Sequence, residues 1–361
     1  MTRVFGSRIS YYAGKLEAYL RYRGIEYEFL PMTDHAREIR AGAGTVQSPV
    51  LQLDDGRWLS DTTPILAWLD SQQPGPSIHP EDPGMAFVAL LLEDHADEWL
   101  WRPAMHYRWS YRLDRDHASG FLADELATQV WGPRFAKRRV IIRRQLGGFV
   151  TGDGVSAATR AHVEASAMAA YDGLEAVLAE RPFLLGDRPS IVDYGFMAPM
   201  LRHFSQDPTP AELMRERAPG VYAWVARMWE ARPAPEGATL LDEVDAPVAA
   251  LLREACETHL VQLRENARAY TRGASRFAQE VQGCRYQDLP VSRYRVWCLE
   301  ELRRHWQGLG TATQETLRGV LPEPGAAVLW DAEAFEASGY DPERRAPFNR
   351  AINVFEGRKL G

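Results

Sequence analysis

Residues 45–63 read TVQSPVLQLDDGRWLSDTT, and the fold turns on this stretch. Val50–Leu53 is a strand-like run, yet Pro49 stands directly before it. Proline cannot donate to a ladder and is confined to strand starts, edges and bulges. Asp54-Asp55-Gly56 is a turn signal and Arg57-Trp58-Leu59 a second strand, so the pair reads as a hairpin. Asp61-Thr62-Thr63 then opens a helix that runs through PILAWLDS at 64–71. Asp and Thr are common N-caps there.

Upstream, residues 2–6 are a short strand broken by Gly6 and Ser7. GKLEAYLRYR at 14–23 has helical spacing, with Leu16, Tyr19 and Leu20 on one face, Lys15 toward solvent and Gly24 as the stop. IEYEFL at 25–30 alternates as a strand does. Residues 33–44 are polar and carry at most a short helix. The order β-α-β-(α)-β-β-α over 1–72 implies a mixed sheet with helices on its faces.

Downstream, Pro74, Gly75, Pro76, Pro80 and Pro83 mark a linker. Helical spacing follows at 85–107, 120–144, 157–179, 193–204 and 219–231, with no strand among them. A second linker, RPAPEG, covers 232–237, and residues 240–310 again read as mostly helical. Within them, YRVWCLEELRRHW at 294–306 is amphipathic, with Tyr294, Trp297, Cys298, Leu302 and Trp306 recurring at helical spacing. Cys298 reads as a buried thiol. From Pro322 the tail is rich in Gly and Pro, with a short aromatic-bearing stretch at its end.

The 361 residues carry a net charge of −7, which argues against a nucleic-acid partner, since such proteins present a basic face. The three cysteines form no CxxC pair, which fits a reducing compartment and no zinc site. No stretch of about 18 apolar residues is long enough to span a membrane. No long apolar run follows Met1 as in a signal peptide, so the cytoplasm is the expected compartment.

A mixed α/β unit followed by an all-helical unit resembles the cytosolic glutathione transferases, over about residues 1–232. The resemblance implies an α/β thioredoxin-like domain at 1–75, an all-α helical-bundle domain at 84–232, and a mostly helical extension at 236–361. It also explains the proline. In that family a cis-proline precedes the third strand, and the backbone of the residue before it pairs with the cysteinyl backbone of glutathione like an added strand. Ser48-Pro49-Val50-Leu51 matches that position, with Ser48 where Val is more common in the family. Asp61-Thr62 resembles the family's acid–hydroxyl pair, which holds the γ-glutamyl end of glutathione at a helix N-terminus. Gly186-Asp187-Arg188-Pro189-Ser190-Ile191-Val192-Asp193 resembles the family's G-D-x-x-S-x-A-D segment. There Ser190 and Asp193 form a structural capping box.

In serine-type members the catalytic residue lies fourteen positions before the glycine that ends the first helix. Counting back from Gly24 gives Ser10, with Ser7, Tyr11 and Tyr12 as competitors. The tyrosine type would need a Tyr where Phe5 and Gly6 stand, and no Cys precedes Cys256 for the cysteine type. A hydroxyl aimed at glutathione's sulfur would favour the thiolate, which is the nucleophile.

The electrophile pocket of the family lies against the first long helix after the linker. Here Trp99, Arg102 and His106 share one face of that helix and are expected to join Tyr11 and Tyr12 in an aromatic pocket with a positive lip. Tight packing with solvated acids is the other reading of that run. Glu93 and Asp97 share a face without His95, so no metal site is expected. The resemblance thus implies glutathione as co-substrate, a small hydrophobic electrophile, no membrane and a homodimer. A glutathione-dependent lyase, isomerase or dehalogenase, or a non-catalytic interaction module on the same fold, are the alternatives.

Overall fold

The computed structural model describes residues 1–125, 131–234 and 237–350. Parts of the helix expected at 120–144, of the 232–237 linker and of the tail's end lie outside them. Four strands form the first sheet: β1 (Thr2–Gly6), β2 (Tyr27–Pro31), β3 (Val50–Gln52) and β4 (Trp58–Ser60). Their order is β2-β1-β3-β4, with β1 and β2 parallel and the other pairs antiparallel. Register puts Val4, Leu51 and Leu59 in one line across the sheet. Because side chains alternate faces, these three join Leu16 and Leu20 of α1 (Tyr11–Arg23) and Ile65 and Leu69 of α3 (Thr62–Gln72) in the main core. Phe5 and Val50 point the other way, onto Ile39 and Ala43 of α2 (Ala36–Ala43).

The helical part begins with α4 (Pro83–Glu98), α5 (Trp101–Ser110) and α6 (Arg112–Glu125) and continues through α7 (Arg134–Gln145) and α8 (Arg160–Leu178). It closes with α9 (Ile191–Pro199), α10 (Pro208–Arg217) and α11 (Pro219–Glu230). Helices α4 and α9 are its axis, and α9 also packs on α1. They approach so closely at Gly195 that a Cβ there would lie 2.9 Å from the Cα of Glu93. The N-terminus of α9 is held by Asp193, whose carboxylate accepts from the Ser190 and Leu184 backbone N–H groups and from Trp224 Nε1. The fold is thus a thioredoxin-like sheet with its helices, followed by a helical body.

The extension comprises α12 (Ala246–Glu257), α13 (His259–Thr271), β5 (Arg276–Val281), β6 (Cys284–Pro290), α14 (Arg293–Gln307) and α15 (Thr311–Arg318). The stretch 240–310, read as mostly helical, is so, and the β5–β6 hairpin stands between α13 and α14. Along β5 burial alternates strictly, with Phe277, Gln279 and Val281 inward, but residue polarity does not follow it, since Ala278 faces out and Gln279 in. Gln282 and Gly283 both take positive φ at its turn. The extension is docked on the body. Helices α12, α14 and α15 pack on α4, and Trp306 meets Phe87 edge-on at 5.3 Å. His259 Nε2 lies 2.6 Å from Asp94. The tail then reaches back to the sheet, where the Ser60 N–H donates to the Pro347 carbonyl at 3.1 Å and Phe348 packs on Trp68.

A correction concerns Lys15. It does not face solvent but is fully buried against α4, where it bonds to Glu93, Asp97 and Thr63. Seen alone, α1 has no marked apolar face, because both of its sides are covered.

Candidate active site

A cavity of about 340 Å³ lies between the sheet, α4–α7 and the extension. One wall is the loop into α1. Ser10 is the N-cap of α1, with extended backbone (φ −73°, ψ 134°), and it lines the cavity. The loop is fixed from behind by Arg108, whose Nη1 donates to the Ile9 carbonyl at 2.7 Å. Arg108 is in turn held by Asp207 at 2.7 Å.

The four hydroxyls considered at this wall are not equivalent. Tyr11 and Tyr12 line the cavity but donate to the carbonyls of Ala96 and Asp97, at 2.6 and 2.9 Å. Those are carbonyls in the last turn of α4, which lack partners within the helix. Ser7 donates to Glu125 at 2.6 Å. Ser10 Oγ has no partner among the described residues and makes no capping bond of its own.

The second wall comes from the hairpin. The Ser48–Pro49 peptide is cis, as the resemblance implies. Ser48, Pro49, Asp61 and Thr62 all line the cavity. Asp61 is the N-cap of α3 and takes φ +75°, a rare conformation outside glycine. Burial raises its pKa to about 7, against the lowering effect of Tyr294 and Lys15. Nearby, Lys15 stays charged, because Asp97 and Glu93 outweigh its burial. Burial pushes the carboxyl of Asp97 well up despite Lys15. Two acids thus share one cation under the cavity floor.

The third wall is α5, on a different face from the one expected. Trp101, Met105 and Arg108 line the cavity. Trp99, Arg102 and His106 do not. They pack away from it: Arg102 lies over the Trp99 ring and donates to the Asp153 carbonyl and to Gln262. His106 pairs with Glu164 at 2.9 Å. Helical spacing groups Trp101, Met105 and Arg108 as readily as Trp99, Arg102 and His106, and spacing alone does not say which group meets the cavity.

Of the residues that line the cavity, Gln47, Asp97 and Gln145 each bury one side-chain oxygen, Oε1, Oδ1 and Oε1, without a hydrogen-bond partner among the described residues. Tyr294, Arg295 and Tyr340 of the extension complete the lining. The amphipathic pattern placed Tyr294 on a buried face, but nothing local said what it would meet. Among the described residues no cluster of His, Cys, Asp and Glu is arranged to hold a metal ion.

Two family models match the chain: the glutathione S-transferase N-terminal domain over residues 4–77 and the glutathione S-transferase C-terminal domain over 157–227. No curated protein sequence matches it. Among solved structures it is similar to a glutathione S-transferase from Methylobacterium radiotolerans in complex with glutathione sulfonate (20% identity, 68% of this chain and 99% of that one, TM-score 0.39). Another is the β-etherase LigF from a Sphingobium strain (18% identity, 63% and 94%, TM-score 0.45). A third is a glutathione transferase family member from Pseudomonas fluorescens with bound glutathione (20% identity, 65% and 100%, TM-score 0.36). Both halves of a glutathione S-transferase, its N-terminal and its C-terminal domain, are thus matched in this chain in their usual order.

Proposed function

We propose that this cavity binds glutathione and activates its sulfur as the thiolate for attack on an apolar, aromatic electrophile. The observation that carries this reading is the uncommitted hydroxyl of Ser10, at a helix N-terminus, in one cavity with Ser48-Pro49 and Asp61-Thr62. The backbone of Ser48 pairs with the cysteinyl unit as an added strand would. Asp61 takes the ammonium of the γ-glutamyl end, and Thr62 with the free N–H groups of α3 takes its carboxylate. The sulfur then sits by Ser10. A hydroxyl donor and the positive end of α1 both favour the charged form. The electrophile lies against Trp101, Met105 and Phe149, with Arg144 at the side.

Conjugation, ether cleavage, isomerisation and dehalogenation share this first step and differ in the electrophile. Arg144 and the aromatic wall favour an aromatic substrate. No helix among the described residues is long and apolar enough to cross a membrane, and a cytoplasmic homodimer belongs to the same proposal. Turnover of a panel of aromatic halides and aryl ethers with glutathione tests it. Activity on one class, lost in Ser10→Ala, supports the reading, and no turnover with any of them contradicts it.

A further inference from the structure

We propose that the C-terminal extension is a working wall of the glutathione pocket, and that its Tyr294 is a positioning residue which holds the Asp61 carboxylate for the ligand's ammonium group. This rests on the glutathione reading above. It begins from a geometry that crosses 233 positions of the chain: Tyr294 Oη lies 3.0 and 3.2 Å from the two oxygens of Asp61. Both residues line the same cavity.

Tyr294 is itself held in place. Its ring packs on Trp297 and Tyr340 at 5.4 and 5.2 Å. One position on, Arg295 is 2% exposed and bonds through Nε to Glu98 at 3.1 Å. The helix that carries both starts at Ser292, whose hydroxyl accepts from the Arg295 N–H and whose own N–H donates to Asn266 at 2.7 Å. The tail beyond Tyr340 bonds to the strand that leads into Asp61, through Ser60 and Pro347. Asp61 is therefore approached from the extension on both sides.

This arrangement has a chemical consequence. Asp61 has positive φ and sits at a helix N-terminus without a side-chain capping bond. Its carboxylate is aimed by Tyr294 instead. The groups that face it are Lys15 from α1, Glu93 and Glu98 from α4, Tyr294 and Cys298 from α14, and Tyr340 from the tail. Of these, Tyr294 and Lys15 favour its ionised form, whereas burial, Glu93 and Glu98 oppose it. Lys15 is already shared between Glu93 and Asp97. Tyr294 is then the neutral donor that keeps Asp61 a carboxylate without competing as a cation for the ammonium.

The test is a titration of glutathione into the full chain, read by quenching of tryptophan fluorescence, since Trp101 lines the cavity. It compares wild type with Tyr294→Phe from about pH 6.5 to 8.5, with des-amino glutathione as the second probe. Losing a hydrogen bond to a charged group is expected to weaken glutathione binding about tenfold near pH 7. The deficit should shrink as pH rises, because Asp61 in the variant ionises at higher pH. Des-amino glutathione, which has no ammonium, should bind both proteins alike. Equal weakening of both ligands, or no pH dependence, overturns the role assigned to Tyr294, since a merely structural change does that. An unchanged affinity overturns it as well. If wild type binds neither ligand, the glutathione reading itself fails and this inference with it.

Discussion

Replacing Ser10 by alanine isolates the activating hydroxyl with little else disturbed. Ser10 Oγ makes no hydrogen bond within the described protein, so its removal leaves no buried partner unsatisfied. Folding stability should stay within about 0.5 kcal/mol of wild type, as for a surface substitution. The bound sulfur should feel the loss. A hydrogen bond to a charged group is worth about 1.5–3 kcal/mol. One pKa unit corresponds to about 1.4 kcal/mol, so the thiol of bound glutathione should rise by about one to two units. Thiolate occupancy then falls about 10- to 100-fold at any pH below the wild-type thiol pKa, and by less above it. The sign with pH follows: the deficit is fully present below the wild-type thiol pKa and disappears once pH exceeds the raised value. The assay is thiolate absorbance near 240 nm for the binary complex against pH, alongside kcat for any aromatic electrophile turned over. An unmoved thiol pKa with unchanged kcat refutes Ser10 as the activating group. Tyr11→Phe and Tyr12→Phe should leave the thiol pKa in place, because both hydroxyls serve the end of α4.

Asp61 gives a pH signature of its own. Its carboxyl titrates at about 7, and only the ionised form attracts an ammonium. Affinity for glutathione should therefore rise about tenfold between pH 6 and 8; calorimetry showing a flat profile would contradict it. Lys15→Met should cost about 3–5 kcal/mol in urea denaturation, because it strands Glu93 and Asp97 in the interior without a cation. A loss below about 1 kcal/mol would show that those acids are already neutral. Trp306→Ala should cost about 3–5 kcal/mol and lower a single thermal transition, since Trp306 is buried against Phe87. Two separate transitions would show the extension folding independently of the body. Gly195→Ala should cost about 1–3 kcal/mol, from overpacking of α9 on α4, and wild-type stability would remove that close contact from the account.

The first sheet was legible because its signals are local: the Asp54-Asp55-Gly56 turn, the proline before a strand, and the Ser190–Asp193 capping box each act within a few residues. Ser10, Ser48, Pro49, Asp61 and Thr62 were reached through the family resemblance that those signals carry, and they line one cavity. What escaped depends on distance or on phase. Lys15 looks like a surface lysine until α4, more than 75 residues away in sequence, brings two carboxylates to it. Trp99, Arg102 and His106 recur at helical spacing, but their side packs on Asp153, Gln262 and Glu164, and spacing alone did not say that the cavity takes the side of Trp101, Met105 and Arg108. Tyr294 could be assigned to a buried face by its spacing, but its contact with Asp61 is a property of the assembled molecule alone.

The central claim is that this cavity is a glutathione site governed by Asp61. The most direct measurement is calorimetric titration of glutathione into the wild type and into Asp61→Ala at about pH 7.5. The account predicts saturable binding at about one glutathione per chain in the wild type, and binding at least about tenfold weaker in the variant. No heat of binding to the wild type, or equal affinity in both proteins, would contradict it.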